Sequence, residues 1–231
     1  MRASKRRSTL FKPAEVYNTQ TRLAGFVWTG RCWLCDATSE PCGLCSSCAA
    51  DLPRRNTVVL AQNIAYIDET FVPFHYAFPW DRLIQSAKFH RDLAAMRTLA
   101  CVTCNEVSNY LPRVGRIVPI PLSALRYTGR GFNQAVELAR PLMALVDIPL
   151  SADRVQRDRS GPPQSSLPAA ARTANVRGAF TVVRPVRGET ILLVDDVVTT
   201  GATLAAVASV LKRGGAARIY AMAAAAAHPL R

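Results

Sequence analysis

Residues 191–204, Ile-Leu-Leu-Val-Asp-Asp-Val-Val-Thr-Thr-Gly-Ala-Thr-Leu, restrict the fold of this chain more than any other stretch. Four aliphatic residues without polar alternation read as a strand buried on both faces, as in a parallel sheet covered by helices. Thr199 to Thr203 then supply hydroxyls and a glycine at a turn into an alanine-rich helix. Backbone N–H groups at a helix N-terminus, with hydroxyls beside them, form a cradle for phosphate. Gly201 lets the backbone approach the anion and take a positive φ. Asp195 and Asp196 stand at the lip of the same loop, where two carboxylates can accept hydrogen bonds from both hydroxyls of a sugar diol. A simpler reading leaves the acidic pair as a cap on the following helix. The complete order of strand, Asp-Asp, Thr-Thr-Gly-Ala-Thr and helix favours the ligand reading, and the ligand it implies is a ribose 5-phosphate moiety.

The 231 residues suffice for one full core and a small appended module. A hydrophobic content of 49% with 19% charged residues is that of a globular protein. No apolar run is long enough to span a bilayer, since the alanine-rich stretch near the C-terminus is broken by Arg218 and His228. The basic N-terminus has neither the apolar core nor the cleavage site of a secretory signal, so a cytoplasmic protein is expected. The formal net charge of +13 favours polyanionic partners, and a phosphorylated metabolite and a nucleic acid would both be drawn to it. Residues 1–25 hold Arg2, Lys5, Arg6, Arg7, Lys12 and Arg22 with little periodicity and read as a disordered basic arm.

Residues 26–55 are cysteine-dense. Cys32-x-x-Cys35 and Cys45-x-x-Cys48 are separated by nine residues. Paired knuckles of this kind give four thiolates that close a tetrahedral site, as in a zinc ribbon. So short a segment has little core of its own, and bound metal would supply its stability. Cys42 lies three residues before Cys45 and is an alternative ligand. Disulfides are not expected, because nothing in the sequence points to an oxidising compartment. Cys101-x-x-Cys104 falls in an apolar stretch and reads as a pair of core thiols on one helix face.

Residues 56–231 alternate between strand and helix patterns. Phe71 to Tyr76 is a candidate edge strand, because Pro73 would spoil a central one. Trp80 to Leu111 reads as one or two helices and carries Lys88-Phe89-His90-Arg91. Arg116 to Leu122 reads as a strand, 132–146 as a helix, and Arg157 to Arg172 as a polar basic stretch. A strand near Phe180–Val183, the strand and helix of 191–204 and a closing strand from Arg218 to Ala224 complete the pattern. Such alternation predicts a parallel α/β sheet, with ligands beyond the carboxyl ends of its strands.

The order of residues 191–203 resembles the phosphoribosyl pyrophosphate (PRPP) signature of type I phosphoribosyltransferases. Arg130-Gly131-Phe132-Asn133-Gln134 follows Val118-Pro-Ile-Pro-Leu122, Gln164-x-x-Leu167 through Arg172 and Asn175 to Ala179-Phe180 precedes the signature, and Ala87-Lys88-Phe89 lies upstream. With the paired cysteine knuckles, these segments make about residues 30–225 similar to the ComF (competence protein F) family. The resemblance implies an α/β chain of type I phosphoribosyltransferase fold, a parallel sheet flanked by helices, with a small N-terminal zinc ribbon. It also implies that Asp195 and Asp196 hold the ribose 2′- and 3′-hydroxyls of PRPP. Thr199, Thr200, Gly201, Ala202 and Thr203 would hold its 5′-phosphate, and Mg²⁺ would bridge the pyrophosphate and the ribose.

A transferase of this type displaces pyrophosphate from C1 of PRPP through an oxocarbenium-like transition state, so stabilising the leaving group matters most. Arg126 and Arg130 are candidates for that role. Arg157, Arg159 and Arg172 lie on the segment resembling a mobile catalytic loop that excludes water. Each arginine also reads as a solvated surface charge. Lys88 reads as a ligand or scaffold residue, and Asn133 and Gln134 as substrate contacts or as the cap of a helix. Two departures stand out. Many ComF-like proteins carry two ribbon pairs, and here the ribbon is shortened to one metal site. The expected pyrophosphate loop, Pro119-Ile-Pro-Leu-Ser123, carries no charge before Arg126.

ComF proteins are associated with DNA uptake during natural transformation. The implied function is therefore binding of PRPP or a nucleotide-like ligand, linked to DNA uptake and the competence machinery. Single-stranded DNA is a candidate partner, with Arg and Lys on phosphates and Trp28, Trp33 or Trp80 as stacking faces or, equally, as core residues. The alternative is an active (amido)phosphoribosyltransferase acting on a small-molecule acceptor with no role in DNA handling.

Overall fold

The computed structural model of the chain describes residues 30–60, 64–122, 127, 131–146, 148–157 and 178–227. The basic arm, Trp28, Arg126, Arg130, Arg159 and Arg172 lie outside the described residues. In chain order the elements are α1 (Ser46–Ala50), β1 (Val59–Leu60), β2 (Glu69–Phe71), β3 (Phe74–His75), α2 (Trp80–Phe89), α3 (Leu93–Ser108), β4 (Arg116–Pro119), α4 (Gln134–Val146), β5 (Val155–Arg157), β6 (Phe180–Val182), β7 (Thr190–Val198), α5 (Ala202–Arg213) and β8 (Arg218–Ala226).

Strand β7 is the axis of the main sheet. It pairs in parallel with β4 on one side and β8 on the other. Ile191 and Leu193 point into one core, against Leu204, Val207, Ala208 and Leu211 of α5. Leu192 and Val194 point into the other, which holds Leu83 and Ile84 of α2, Leu99 of α3 and Leu138 and Leu142 of α4. All four strand residues are at most 1% exposed. Burial on both faces is what removes polar alternation from the sequence, and each such side chain contributes about 1.5–3 kcal/mol. The apolar residues of α5 fall at i, i+3, i+4 and i+7, one stripe of a helix. Lys212 and Arg213 occupy its last turn, where cations oppose the helix dipole, and Gly215 (φ 93°) follows. Strand β8 is built largely from small side chains, with Ala221 and Ala223 to Ala226 at most 2% exposed.

Two expectations change on this scaffold, and a third is narrowed. The Phe71–Tyr76 segment is not at the edge: β2 and β3 both run parallel to β8, and antiparallel β1 covers β2 from outside through Val59 opposite Phe71. Pro73, which has no N–H for the ladder, falls between the two short strands. The strand at Phe180–Val182 does not join the main sheet, since β6 pairs antiparallel with β5, Phe180 opposite Arg157. The Trp80–Leu111 stretch is two helices, broken where Arg91 takes φ 55° and Asp92 caps α3 by accepting from the Ala95 amide at 2.9 Å. Among the described residues, no helix is long and apolar enough to cross a membrane.

The cysteine-rich segment packs on α3 rather than standing apart. Cys32, Leu44 and Leu52 belong to the same core as α2–α4. Arg54 bonds Glu106 of α3 at 3.0–3.1 Å. A disulfide joins Cys42 to Cys101, 59 residues apart, and Asn105 donates to the Cys42 sulfur at 3.2 Å. This corrects three expectations. A disulfide is present, Cys42 is bonded to the helix instead of serving as an alternative metal ligand, and Cys101 is not one of a pair of core thiols. Sequence spacing pairs cysteines locally, whereas docking of the ribbon on α3 pairs these two across the core. Cys104, one turn on, is fully buried, as a core thiol should be.

Candidate functional site

The ladder of β7 continues through the acidic pair, with Asp195 opposite Ala223 and Val197 opposite Ala225. Because side chains alternate along a strand, the two carboxylates leave opposite faces of the sheet. Asp195 borders the turn into α5. Asp196 points toward α2, where Lys88 Nζ lies 2.8 Å from its Oδ2. The other oxygen, Oδ1, accepts from the Val197 amide at 2.6 Å, and Asp195 Oδ1 accepts from the Asp196 amide at 2.9 Å. Both oxygens of Asp196 are thus held in place, and each keeps a second lone pair for a further donor.

Asp195 and Thr199 to Leu204 border a depression open to solvent, with about 300 Å³ of space that is continuous with it. Gly201 heads α5 with φ 72°, and no side chain caps it. A Cβ there would fall 2.9 Å from Ile64 Cδ1, the movable end of that side chain, so it is the positive φ above all that asks for glycine. Thr200 Oγ1 accepts from the Ala202 amide at a long 3.4 Å. A 12-residue helix opening behind an uncapped glycine, with hydroxyls at the turn, is a physical anion cradle. On the opposite face a second cavity of about 240 Å³ lies between α2, α3 and α4 and has Lys88, Gln134 and Asp196 on its wall.

The candidate residues therefore divide. Asp195, Thr199, Thr200, Gly201, Ala202 and Thr203 come together around one depression, whereas Asp196 and Lys88 line the second cavity on the opposite face. Asn133 is the cap of α4: its Oδ1 accepts from the Ala135 amide at 3.0 Å, and its Nδ2 donates to the Ile120 carbonyl at 3.0 Å. Gln134 is 2% exposed beside the second cavity. Arg157 lies on β5 with its guanidinium 5.4 Å from the Phe180 ring centroid. Trp80 is core, donating to the Ala224 carbonyl at 3.1 Å. Sequence reasoning singled out both Lys88 and Asp196 but not their pairing. It missed Ile64, which forms the floor under Gly201 from 137 positions away and carries no local signal.

A second centre lies in the ribbon. The sulfurs of Cys32, Cys35, Cys45 and Cys48 are within 4.8 Å of one another, and those of Cys35 and Cys45 are 3.6 Å apart. Tetrahedral zinc with bonds of about 2.3 Å separates its sulfurs by slightly under 4 Å, so this set fits a metal of that kind. Burial pushes the Cys32 thiol up, but hydrogen bonds from the Cys45, Cys35 and Leu34 backbone and the Cys35 side chain outweigh it and bring the group to about 7. Burial first, and then the neighbouring sulfurs, push Cys48 well up. The neighbouring sulfurs resist carrying charge together, a conflict that a bound cation would remove.

Comparison with known proteins agrees with this architecture. The family model for a phosphoribosyl transferase domain matches residues 129–229. The DNA utilization protein YhgH of Salmonella typhi is 32% identical over 214 residues, covering 82% of this chain and 94% of that protein. Its counterpart in Escherichia coli K12 is 37% identical over 149 residues, 62% of this chain and 66% of that one. Competence protein F of Haemophilus influenzae is 33% identical over 162 residues, 66% of this chain and 70% of that protein. A relative above 30% identity that spans nearly its whole length, joined to a phosphoribosyl transferase match over the β7–α5 site, means that this chain belongs to the ComF family and has its phosphoribosyltransferase-type α/β fold.

Proposed function

We propose that the β7–α5 site binds PRPP or a related ribose 5-phosphate ligand, and that the protein serves DNA uptake in natural transformation. The observation that carries the reading is the uncapped, glycine-headed start of α5 opening onto a depression bordered by Asp195. The 5′-phosphate lies on the first turn of α5 among Thr199, Thr200, Gly201, Ala202 and Thr203, and the ribose hydroxyls meet Asp195 and Asp196. Mg²⁺, when bound with PRPP, neutralises its pyrophosphate. Arg126 and Arg130 are assigned to that leaving group, and Arg157 and Arg159 to the segment that resembles a mobile, water-excluding catalytic loop. The quartet of Cys32, Cys35, Cys45 and Cys48 holds one structural Zn²⁺. The division into a basic arm (1–25), a zinc-ribbon module (26–55) and a phosphoribosyltransferase-like domain (56–231) belongs to this reading, as does a cytoplasmic location.

The link to DNA is supported by the names of the relatives, DNA utilization protein and competence protein F, and by the charge of +13. Single-stranded DNA binds through Arg and Lys outside the ribose site, so its affinity falls steeply with salt. Calorimetry with PRPP and Mg²⁺ tests the ligand, and anisotropy with labelled single-stranded DNA across a salt series tests the partner. Binding of PRPP without displacement of DNA is expected. Stoichiometric displacement means one pocket serves both, and an absence of DNA binding at low salt makes the charge incidental. Elemental analysis should return one zinc per chain.

A further inference from the structure

A continuous set of contacts joins the cysteine ribbon to the acidic pair. Trp33 lies inside the first knuckle, between Cys32 and Cys35, and its indole Nε1 donates to Asp92 Oδ2 at 2.9 Å. The same oxygen accepts from Ser86 Oγ at 2.9 Å, while Oδ1 accepts from the Ala95 amide at 2.9 Å. Asp92 therefore ties three elements together: the ribbon, the last turn of α2 through Ser86, and the first turn of α3. Lys88 stands two residues after Ser86 in that same last turn. From there its ammonium reaches Asp196 Oδ2 at 2.8 Å across the sheet end. In the α2–α3 turn Arg91 adopts φ 55° and Phe89 is 71% exposed, and the His90 and Asp92 amides both donate to the Ser86 carbonyl, at 3.0 and 3.5 Å.

We propose that the first ribbon knuckle is a positioning element for the ribose site: Trp33, through Asp92 and Ser86, holds the last turn of α2 so that Lys88 fixes the Asp196 carboxylate. The ribbon then has a task beyond its own folding, because the metal that shapes the knuckle also sets where the indole N–H points. Lys88 is a positioning residue, acting through Asp196. The inference rests on the ligand reading above for its effect on affinity, but the contacts it invokes exist without ligand.

The test uses the full chain loaded with Zn²⁺ and compares Trp33→Phe, Lys88→Met, Lys88→Arg and the double variant Trp33→Phe/Lys88→Met. Trp33→Phe keeps an aromatic ring at the site and removes the donor together with part of the indole's volume. PRPP affinity, measured with Mg²⁺, should fall about 5-fold in Trp33→Phe and about 10-fold in Lys88→Met, the loss of one charge-assisted contact. Lys88→Arg should recover most of the loss. The double variant should bind no more weakly than Lys88→Met, because both changes act on one path. Unchanged affinity in Trp33→Phe, or additive losses in the double variant, would overturn the proposal. Hydrogen exchange without ligand provides the second readout. The Val197 amide, bonded to Asp196 Oδ1, and the His90 amide, bonded to the Ser86 carbonyl, should both exchange faster in Trp33→Phe. In Lys88→Met only Val197 should do so. If the wild type binds no PRPP, the ligand reading fails, and the exchange pattern alone decides the coupling: unchanged Val197 exchange in Trp33→Phe refutes it.

Discussion

The two ends of strand β7 carry acids that are treated in opposite ways. At the amino end Glu189 is gripped by Arg116 at 2.6 Å and by Arg154 at 3.5 Å, and Arg116 also donates to Ser151 at 2.9 Å. Main-chain bonds close around it, from Gly115 to the Thr190 carbonyl and from Ala217 to the Glu189 carbonyl. At the carboxyl end Asp196 faces one lysine, and Asp195 borders an open depression. An acid matched by two guanidinium groups serves the fold. An acid placed beside the glycine-headed start of a helix, at the rim of a depression, stands where a ligand would be met. The difference follows the general rule that parallel sheets bind at the carboxyl ends of their strands.

The comparison can be broken or sharpened by substitution at either end. The largest effect is expected for Asp195→Asn with Asp196→Asn. Loss of two charged acceptors should weaken PRPP by about 100-fold or more while leaving thermal unfolding close to wild type, as calorimetry and a melting curve would show. Unchanged affinity would remove the acidic pair from the site. Next is Gly201→Val, which combines a positive φ with a collision against Ile64. It should cost about 2–3 kcal/mol of stability by urea titration and abolish phosphate-dependent binding. Glu189→Gln should give the reverse pattern to the acidic pair, losing about 1 kcal/mol of stability with no change in PRPP affinity. A binding defect there would erase the contrast between the two ends.

The smallest effect concerns Asp92 and is read against pH. Burial pushes its carboxyl up, but hydrogen bonds from Ala95, Trp33, Ser86 and Ala94 outweigh burial and hold it below the ordinary range. A carboxylate depressed in the folded state stabilises the protein fully above its unfolded value, about 3.9, and loses that contribution as pH falls through the folded value. Asp92→Ala should therefore cost about 1 kcal/mol at neutral pH, and its gap from wild type should close only well below pH 4. A gap of constant size across that window would mean that the cap acts without its charge.

How far this arrangement can be read from the sequence differs between its parts. The run of four aliphatic residues before Asp195 announces a strand buried on both faces, because only such a strand lacks polar alternation. The Thr-Thr-Gly-Ala-Thr turn announces a helix start with room for an anion, because Gly201 answers to local backbone geometry. The quartet of cysteines is likewise a matter of spacing. Contacts made by docking have no such local mark. Cys42 finds Cys101 because the ribbon lies on α3, and Lys88 finds Asp196 because α2 crosses the end of β7. The strand at Phe180 is legible as a strand, but its departure to pair with β5 depends on where the intervening chain leads it. Pro73 signals a broken ladder correctly. Its position one strand in from the edge depends on β1 folding over the outside, which nothing in residues 71–76 encodes.

The alanines of β8 have a consequence for the acids beside them. Asp195 and Val197 run next to Ala223 and Ala225, and on the other flank the β4 ladder ends at Pro119, opposite Val194. Neither neighbour has the reach to lean over a carboxylate. Among the described residues, the flanks of the acidic pair are therefore built from short side chains, and both alanines are fully buried. Larger side chains at 223 or 225 would have to force their way between the sheet and the helices that cover it, shifting the ground under the acids without touching either of them.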